Sequence, residues 1–130
     1  MVILLTILET LAVVFWVLFN GILDSKYYEQ LKMRTVSQYV YCPAYLLIAA
    51  TFLTAMLDMY GWPWLEVVIF AHTVLHVVFA VLLVVAVIKF ADLPFKYAKQ
   101  YLLARAALYF AVVFEVLALG VFVVYCVKLF

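Results

Sequence analysis

Four long apolar runs are the feature that most constrains what this chain can fold into. They extend over about residues 2–23, 38–58, 62–88 and 101–127. About 20 apolar residues in an α-helix are needed to cross the hydrocarbon core of a bilayer. The runs are continuous, whereas a membrane β-barrel has short segments of alternating hydrophobicity. Backbone groups in lipid must be satisfied within each segment, so the sequence predicts an all-α integral membrane protein with four transmembrane helices.

The composition agrees with a membrane protein and excludes several other classes. The chain has 130 residues, of which 73% are hydrophobic and 12% charged, whereas a soluble domain is about half apolar. Four long segments joined by short loops predict a single domain, residues 1–130. The net charge of +1 gives no basis for binding nucleic acid. The first run has no basic residues before it, so we expect a membrane helix rather than a signal peptide.

The distribution of basic residues predicts the orientation in the membrane. Loops 24–37 and 89–105 contain seven of the eight basic residues, and the sequence DMYGWPW between the second and third runs contains none. Because basic loops remain cytoplasmic, both loops are expected on the cytoplasmic side of the cell (inner) membrane, and both termini on the outer side. The short turn after the second run makes the second and third helices antiparallel neighbours. An up-down-up-down four-helix bundle is the architecture expected from these features.

The two cysteines fall at opposite ends of their segments. Cys42 lies near the inner end of the second run, and Cys126 lies near the outer end of the fourth. This separation is far beyond the reach of a disulfide, so we expect no internal bridge. The chain has no Cys-x-x-Cys motif, which disfavours thiol redox chemistry.

Each apolar run carries polar residues at helical spacing, which predicts one polar face per helix. The second run has Thr51 and Thr54 on such a face, and the fourth has Glu115 among alanines. Small residues allow a neighbouring helix to approach closely. These faces are therefore expected to meet inside the bundle. Their members are Thr6, Glu9 and Asn20; Thr51, Thr54 and Asp58; His72 and His76; and Glu115 with Ala104, Ala107, Ala111 and Ala118.

The depths of the ionisable residues suggest how they pair. With a rise of 1.5 Å per residue, Glu9 and His72 lie ~10 and ~14 Å below the outer boundary, and His76 and Glu115 both lie near ~20 Å. We therefore expect Glu9 to pair with His72, and His76 with Glu115. Asp58 lies above them, as the outer access point to the polar site.

Four interpretations of this site are compatible with the sequence. Ionisable residues inside the membrane are costly and indicate function by default, although a structural polar network is the simplest alternative. Histidines at i and i+4 could bind a transition metal such as Zn, Fe or Cu, completed by Glu9 or Glu115. The Glu-x-x-His motifs of ferritin-like di-iron proteins are absent.

Haem and proton transfer are the remaining two interpretations. His72 and His76 lie on one side of any iron, so they cannot be both axial ligands; a haem would have to be shared with another subunit. A series of titratable side chains from Asp58 through the paired residues would suit a proton path that ends in mid-membrane, because such side chains form proton relays.

The sequence therefore yields three hypotheses of function. The leading one is a small anchor or accessory subunit of a larger membrane complex, most typically respiratory or redox. Its outer-leaflet site of Glu9, His72, His76 and Glu115 would serve a metal, a quinone or a proton, with other membrane subunits and lipid as partners. A homo-oligomeric ion or proton transporter and a purely structural membrane protein are the alternatives. Catalysis by the chain alone is not expected, because no soluble domain is present.

Overall fold

Four long helices make up the part of the chain that the computed structural model describes, which is residues 1–24, 37–61, 63–90 and 98–130. No strand occurs within those ranges. Each helix contains a stretch long and apolar enough to cross a membrane, and the chain is therefore a multi-pass helical membrane protein. The helices are α1 (Val2–Asp24), α2 (Ser37–Tyr60), α3 (Leu65–Phe90) and α4 (Ala98–Leu129).

Two helix starts differ from the sequence prediction. α3 begins at Leu65 rather than near residue 62, because a turn that starts at Gly61 precedes it. Gly61 has a φ of 66°, in the left-handed region that favours glycine. α4 begins at Ala98 rather than near residue 101, so residues 98–100 belong to its first turn instead of to the second basic loop. These residues are mostly good helix formers. Residues 25–36 and 91–97, the rest of the two basic loops, lie outside the described residues.

The four helices contact one another to very different extents. In the described segments α1 packs most extensively against α4, and α2 packs against both α1 and α3. The contact between α3 and α4 is the smallest of the four. Ala107 and Ala111 of α4 are buried in the same apolar cluster as Ala12 of α1. Such small side chains let helix backbones approach closely, which accounts for the large α1–α4 contact.

The buried apolar residues form two separate clusters at different heights in the bundle. The smaller cluster, at one end, consists of Leu5, Ile69, Ala118, Phe122 and Tyr125. The larger cluster combines the later part of α1 and α3 with the earlier part of α2 and α4; its largest members are Trp16, Phe19, Leu47, Phe79 and Leu83. Along α1, α3 and α4, the residues between these clusters include Glu9, His72, His76 and Glu115. The buried polar residues therefore form a layer between two apolar clusters.

Most of the apolar surface of the helices faces outward. Only 28–33% of each spanning stretch is buried within the chain. Large apolar side chains such as Ile3, Phe70 and Val127 are 69–73% exposed. An apolar belt of this extent requires lipid or other protein around it.

Candidate functional site

Two stacked histidines on α3 form the centre of the polar layer. His72 and His76 are one helical turn apart, so their side chains lie on the same face of the helix. Their ring centroids are 4.7 Å apart and the ring planes differ by 16°. The two residues are 0% and 1% exposed. The helix thus presents two nearly parallel imidazoles to the interior of the bundle.

Glu9 of α1 faces both histidines. Its Oε2 atom lies 2.9 Å from Nε2 of His76 and 3.7 Å from Nε2 of His72. Glu9 itself is 0% exposed. The sequence suggested a pair between Glu9 and His72 alone; the structure instead places the carboxylate between the two rings and nearer to His76. The helix rotation that decides this cannot be read from depth along the membrane.

Glu115 of α4 contacts His76 from the other side of the ring. Its Oε1 atom lies 2.7 Å from Nδ1 of His76, and both side chains are buried. The pair expected from the sequence is therefore present. The Glu115 carboxylate accepts a hydrogen bond from the N–H of Nδ1 when the ring is neutral. Nε2 then carries the lone pair, which is directed towards Glu9.

Two threonines of α2 contact the two nitrogens of His72. Thr51 Oγ1 lies 3.1 Å from Nε2, and Thr54 Oγ1 lies 3.1 Å from Nδ1. Both hydroxyls donate to backbone carbonyls one turn earlier, at Leu47 and Ala50. Helical spacing predicted both threonines on the polar face but assigned them no role. Their spacing was the available signal, but it does not show which ring they contact.

Four atoms of the layer are buried without a hydrogen-bond partner among the described residues. They are both carboxylate oxygens of Glu9, Nε2 of His76 and Oε2 of Glu115. The contact of 2.9 Å between Glu9 and His76 is short, but it is not aligned as a hydrogen bond. Buried polar atoms in native proteins are almost always satisfied. The described residues therefore leave these four atoms without a hydrogen bond.

Phe122 and the pair formed by Asp58 and Tyr125 lie on one side of the layer. The Phe122 ring centroid is 4.4 Å from that of His72 and 4.9 Å from that of His76, so this side chain covers both rings. Tyr125 donates a hydrogen bond of 2.7 Å to Oδ1 of Asp58. Asp58, the expected outer access point, is thus half-buried near the end of α2 and does not belong to the histidine layer.

Three of these side chains could together hold a metal ion. One donor atom each from Glu9, His72 and His76 lies within 4.8 Å of the others. A haem shared with another subunit fits less well, because both rings are buried inside the bundle and are 4.7 Å apart. The fold and site define the class: a four-helix membrane protein with a buried layer of two histidines and two glutamates.

No protein-family model, curated protein or solved structure matches this chain. Its function is therefore inferred from the fold and from the chemistry of the polar layer.

Proposed function

We propose that the chain is a membrane-embedded accessory subunit of a larger membrane complex of the respiratory or redox class. Its working site is the layer of Glu9, His72, His76 and Glu115. In this role the chain contributes a buried site to the complex and catalyses nothing alone.

The observation that carries this proposal is the burial of four ionisable side chains in one layer. Each is at most 1% exposed, and three of the four have polar atoms without a hydrogen-bond partner in the described part of the chain. Ionisable groups at membrane depth are rare because of their cost, and they mark ion, proton or ligand sites. A single hydrogen-bonded pair would suffice to fix helix packing, so the layer exceeds a purely structural need.

The shape of the chain supports a role as a subunit. Four spanning helices account for most of the 130 residues, and most of their surface is outward-facing and apolar. Such a chain has little mass outside the membrane with which to bind a soluble substrate. Small membrane proteins of this shape commonly serve larger assemblies, which is an argument by analogy.

The proposed topology is an up-down-up-down bundle with both termini outside the cell membrane. It is supported by the small apolar cluster, in which Leu5 and Ile69 near the starts of α1 and α3 meet Tyr125 near the end of α4. The hydrogen bond from Tyr125 to Asp58, near the end of α2, supports the same arrangement. Basic loops on the cytoplasmic side complete the proposal.

Purification in a mild detergent tests whether the chain belongs to a complex. A tagged copy expressed at its native level should co-purify with other membrane chains in fixed stoichiometry, measured by native mass spectrometry. An unrelated four-helix membrane protein with the same tag is the control for nonspecific capture. Recovery of the chain as a monomer or homo-oligomer alone would contradict the proposal.

A homo-oligomeric proton or ion transporter is the second candidate. It is favoured by the polar residues Asp58, Thr54 and Thr51, which follow one another along one face of α2. The two threonines of this series contact His72 of α3. Reconstituted chain should then dissipate a proton gradient in liposomes, and Glu9→Gln should abolish the flux. Liposomes with wild-type protein that leak no faster than empty ones would exclude this candidate.

A purely structural role is the remaining alternative and makes a different prediction. In that case Glu115→Gln and His76→Gln would affect only the stability of the bundle. Loss of the function of the host complex in a variant that is still folded and assembled would contradict a structural role.

A further inference from the structure

We propose that Glu9, His72 and His76 bind one divalent transition-metal ion in the middle of the bundle. The inference rests on the layer being the working site proposed above, and it names the ligand of that site. Glu115 and Thr54 are positioning residues that hold the two imidazoles for the ion.

The separations of the donor atoms suit a single small cation. Bonds of 2.0–2.1 Å in a tetrahedral arrangement put neighbouring donor atoms about 3.3 Å apart. The Oε2 atom of Glu9 lies 2.9 Å from one Nε2 atom and 3.7 Å from the other, on either side of that value. The rings differ by 16° and must tilt so that both lone pairs point to one ion. The three donor atoms lie within 4.8 Å of one another, so the rings must also draw together around the ion. The broad distribution of the histidine χ2 angle makes this rotation easy.

The unpartnered atoms of the layer are the independent observation that indicates a ligand. Both oxygens of Glu9 and Nε2 of His76 are buried and have no hydrogen bond within the described chain. A carboxylate and an imidazole nitrogen left in this way are costly in an apolar interior. A cation at their point of convergence satisfies the Glu9 carboxylate and the His76 nitrogen together.

The contact between His76 and Glu115 resembles the hydrogen bond that orients a metal-binding histidine from behind its ring. Metal-binding histidines usually donate the N–H of the second ring nitrogen to a carboxylate or carbonyl. Here Nδ1 of His76 lies 2.7 Å from Glu115 Oε1. That bond holds the proton on Nδ1 and leaves Nε2 free as a ligand.

Thr54 has the equivalent position for His72. Because its hydroxyl donates to the Ala50 carbonyl, its oxygen is left to accept the N–H of Nδ1. Nε2 of His72 then keeps its lone pair for the ion. The Thr51 hydroxyl also donates to a backbone carbonyl, so its oxygen can only accept an N–H from Nε2 of His72. That tautomer leaves no lone pair on Nε2 for the ion, and Thr51 is therefore a competitor of the ion. The two threonines thus have opposite expected effects on metal binding.

The charges of the layer also favour a divalent ion. When Glu9 and Glu115 are both ionised, their two negative charges balance one such ion inside the apolar bundle, and buried charges are tolerated when they are paired. Two imidazoles and one carboxylate form a ligand set that suits Fe(II), Zn(II) and related ions, with at least one position left for a further ligand.

Metal titration of the full chain in detergent tests the inference. Protein stripped with a chelator is titrated with Co²⁺, whose visible absorption reports its coordination, and then with Zn²⁺ and Fe²⁺, with bound metal counted by elemental analysis. One ion per chain and a nitrogen- and oxygen-ligated Co²⁺ spectrum are expected. The His72→Gln, His76→Gln double variant should lose this binding. Absence of stoichiometric binding of all three ions by wild-type protein would overturn the inference.

Thr51→Val and Thr54→Val form a matched pair that separates metal binding from simple hydrogen bonding. Both changes remove one buried hydroxyl from the same helix and the same ring. Loss of the positioning contact in Thr54→Val should weaken metal binding about 10- to 100-fold. Thr51→Val should bind at least as tightly as wild type. Equal weakening in both folded variants would overturn the assigned roles.

These measurements are independent of the test for a complex. A chain that purifies alone but binds one ion would contradict the accessory role and leave the metal site intact. A chain that co-purifies with partners but binds no ion would support the accessory role and contradict the metal site.

Discussion

Glu115 and His76 depend on each other because they lie 2.7 Å apart and both side chains are almost fully buried. Removal of one member of a buried ion pair typically costs about 3–5 kcal/mol, since the other is left unpaired. Each of Glu115→Gln and His76→Gln is therefore expected to destabilise the bundle. The double variant should lose less than the sum, with a coupling of about 1–3 kcal/mol. Unfolding of the reconstituted protein in mixed micelles measures the three free energies.

Glu66→Gln is the matched control for this double-mutant cycle. Glu66 is exposed at the start of α3, and Glu66→Gln changes the same side-chain atoms as Glu115→Gln. Its effect should lie within about 0.5 kcal/mol of wild type, as for most surface substitutions. Strictly additive effects of the two buried substitutions would show that the His76–Glu115 contact contributes little.

The ionisable residues of the site could be identified from the sequence, but their contacts could be predicted only in part. Residue number and the helical rise give a depth, so the pair of His76 with Glu115 follows. Depth carries no information on the rotation or tilt of each helix. Those rotations put Glu9 nearer to His76 than to His72, and they bring Thr51 and Thr54 to the ring of His72. The contacts of the two threonines with His72 therefore emerged only from the structure.

The α1–α4 contact depends on alanines that are fully buried at the helix interface. Ala111 and Ala118 of α4 are 0% exposed. Ala111→Leu would force extra volume into this contact and should destabilise the protein by about 1–3 kcal/mol. Ala106→Leu, on the exposed face of the same helix, is the matched control and should be nearly neutral. Thermal unfolding in detergent compares them, and equal stability of the two variants would contradict this account of the packing.

The turn between α2 and α3 depends on the left-handed backbone of Gly61. Its φ of 66° is unfavourable for a residue with a Cβ atom, so Gly61→Ala should cost about 1 kcal/mol. Gly120→Ala is the matched control, because Gly120 is helical and an added Cβ would meet nothing within 4 Å. That variant should be neutral or slightly more stable. If both substitutions had the same effect on unfolding, the turn geometry would not explain the use of glycine.

The number of helices follows from the sequence far more reliably than the points at which they begin. Long apolar runs fix the existence of each helix. The start of α3 is set by a turn at Gly61, and the start of α4 by helix-forming residues that are too polar to belong to an apolar run. For this reason Ala98–Gln100 resembled a loop although these residues are the beginning of a helix. Hydrophobicity alone does not separate a polar helix end from a loop.

At the scale of the whole molecule, the uneven contacts between helices leave α3 and α4 apart along part of their length. A groove of about 310 Å³ lies between them, lined by Leu83, Val84, Val87, Val112 and Val116, among others. Glu115 of the polar layer also lines the groove, and the other walls are apolar and continuous with the outward-facing belt. Because α3 and α4 pack least closely along this groove, lipid or another subunit is needed to cover its apolar surface.

The orientation of the whole bundle is the last property that an experiment can decide directly. In a background with Cys42→Ser and Cys126→Ser, single cysteines are placed at Tyr60, at the end of α2, and at Lys99, near the start of α4. Basic segments remain cytoplasmic, so a membrane-impermeant maleimide should label Tyr60→Cys in intact cells and Lys99→Cys only after permeabilisation. Lys128→Cys, near the end of α4, is the internal control and should behave like Tyr60→Cys. The reverse pattern would invert the topology and would place the histidine layer in the cytoplasmic half of the membrane, because that layer lies nearer to the end marked by Tyr60 and Lys128.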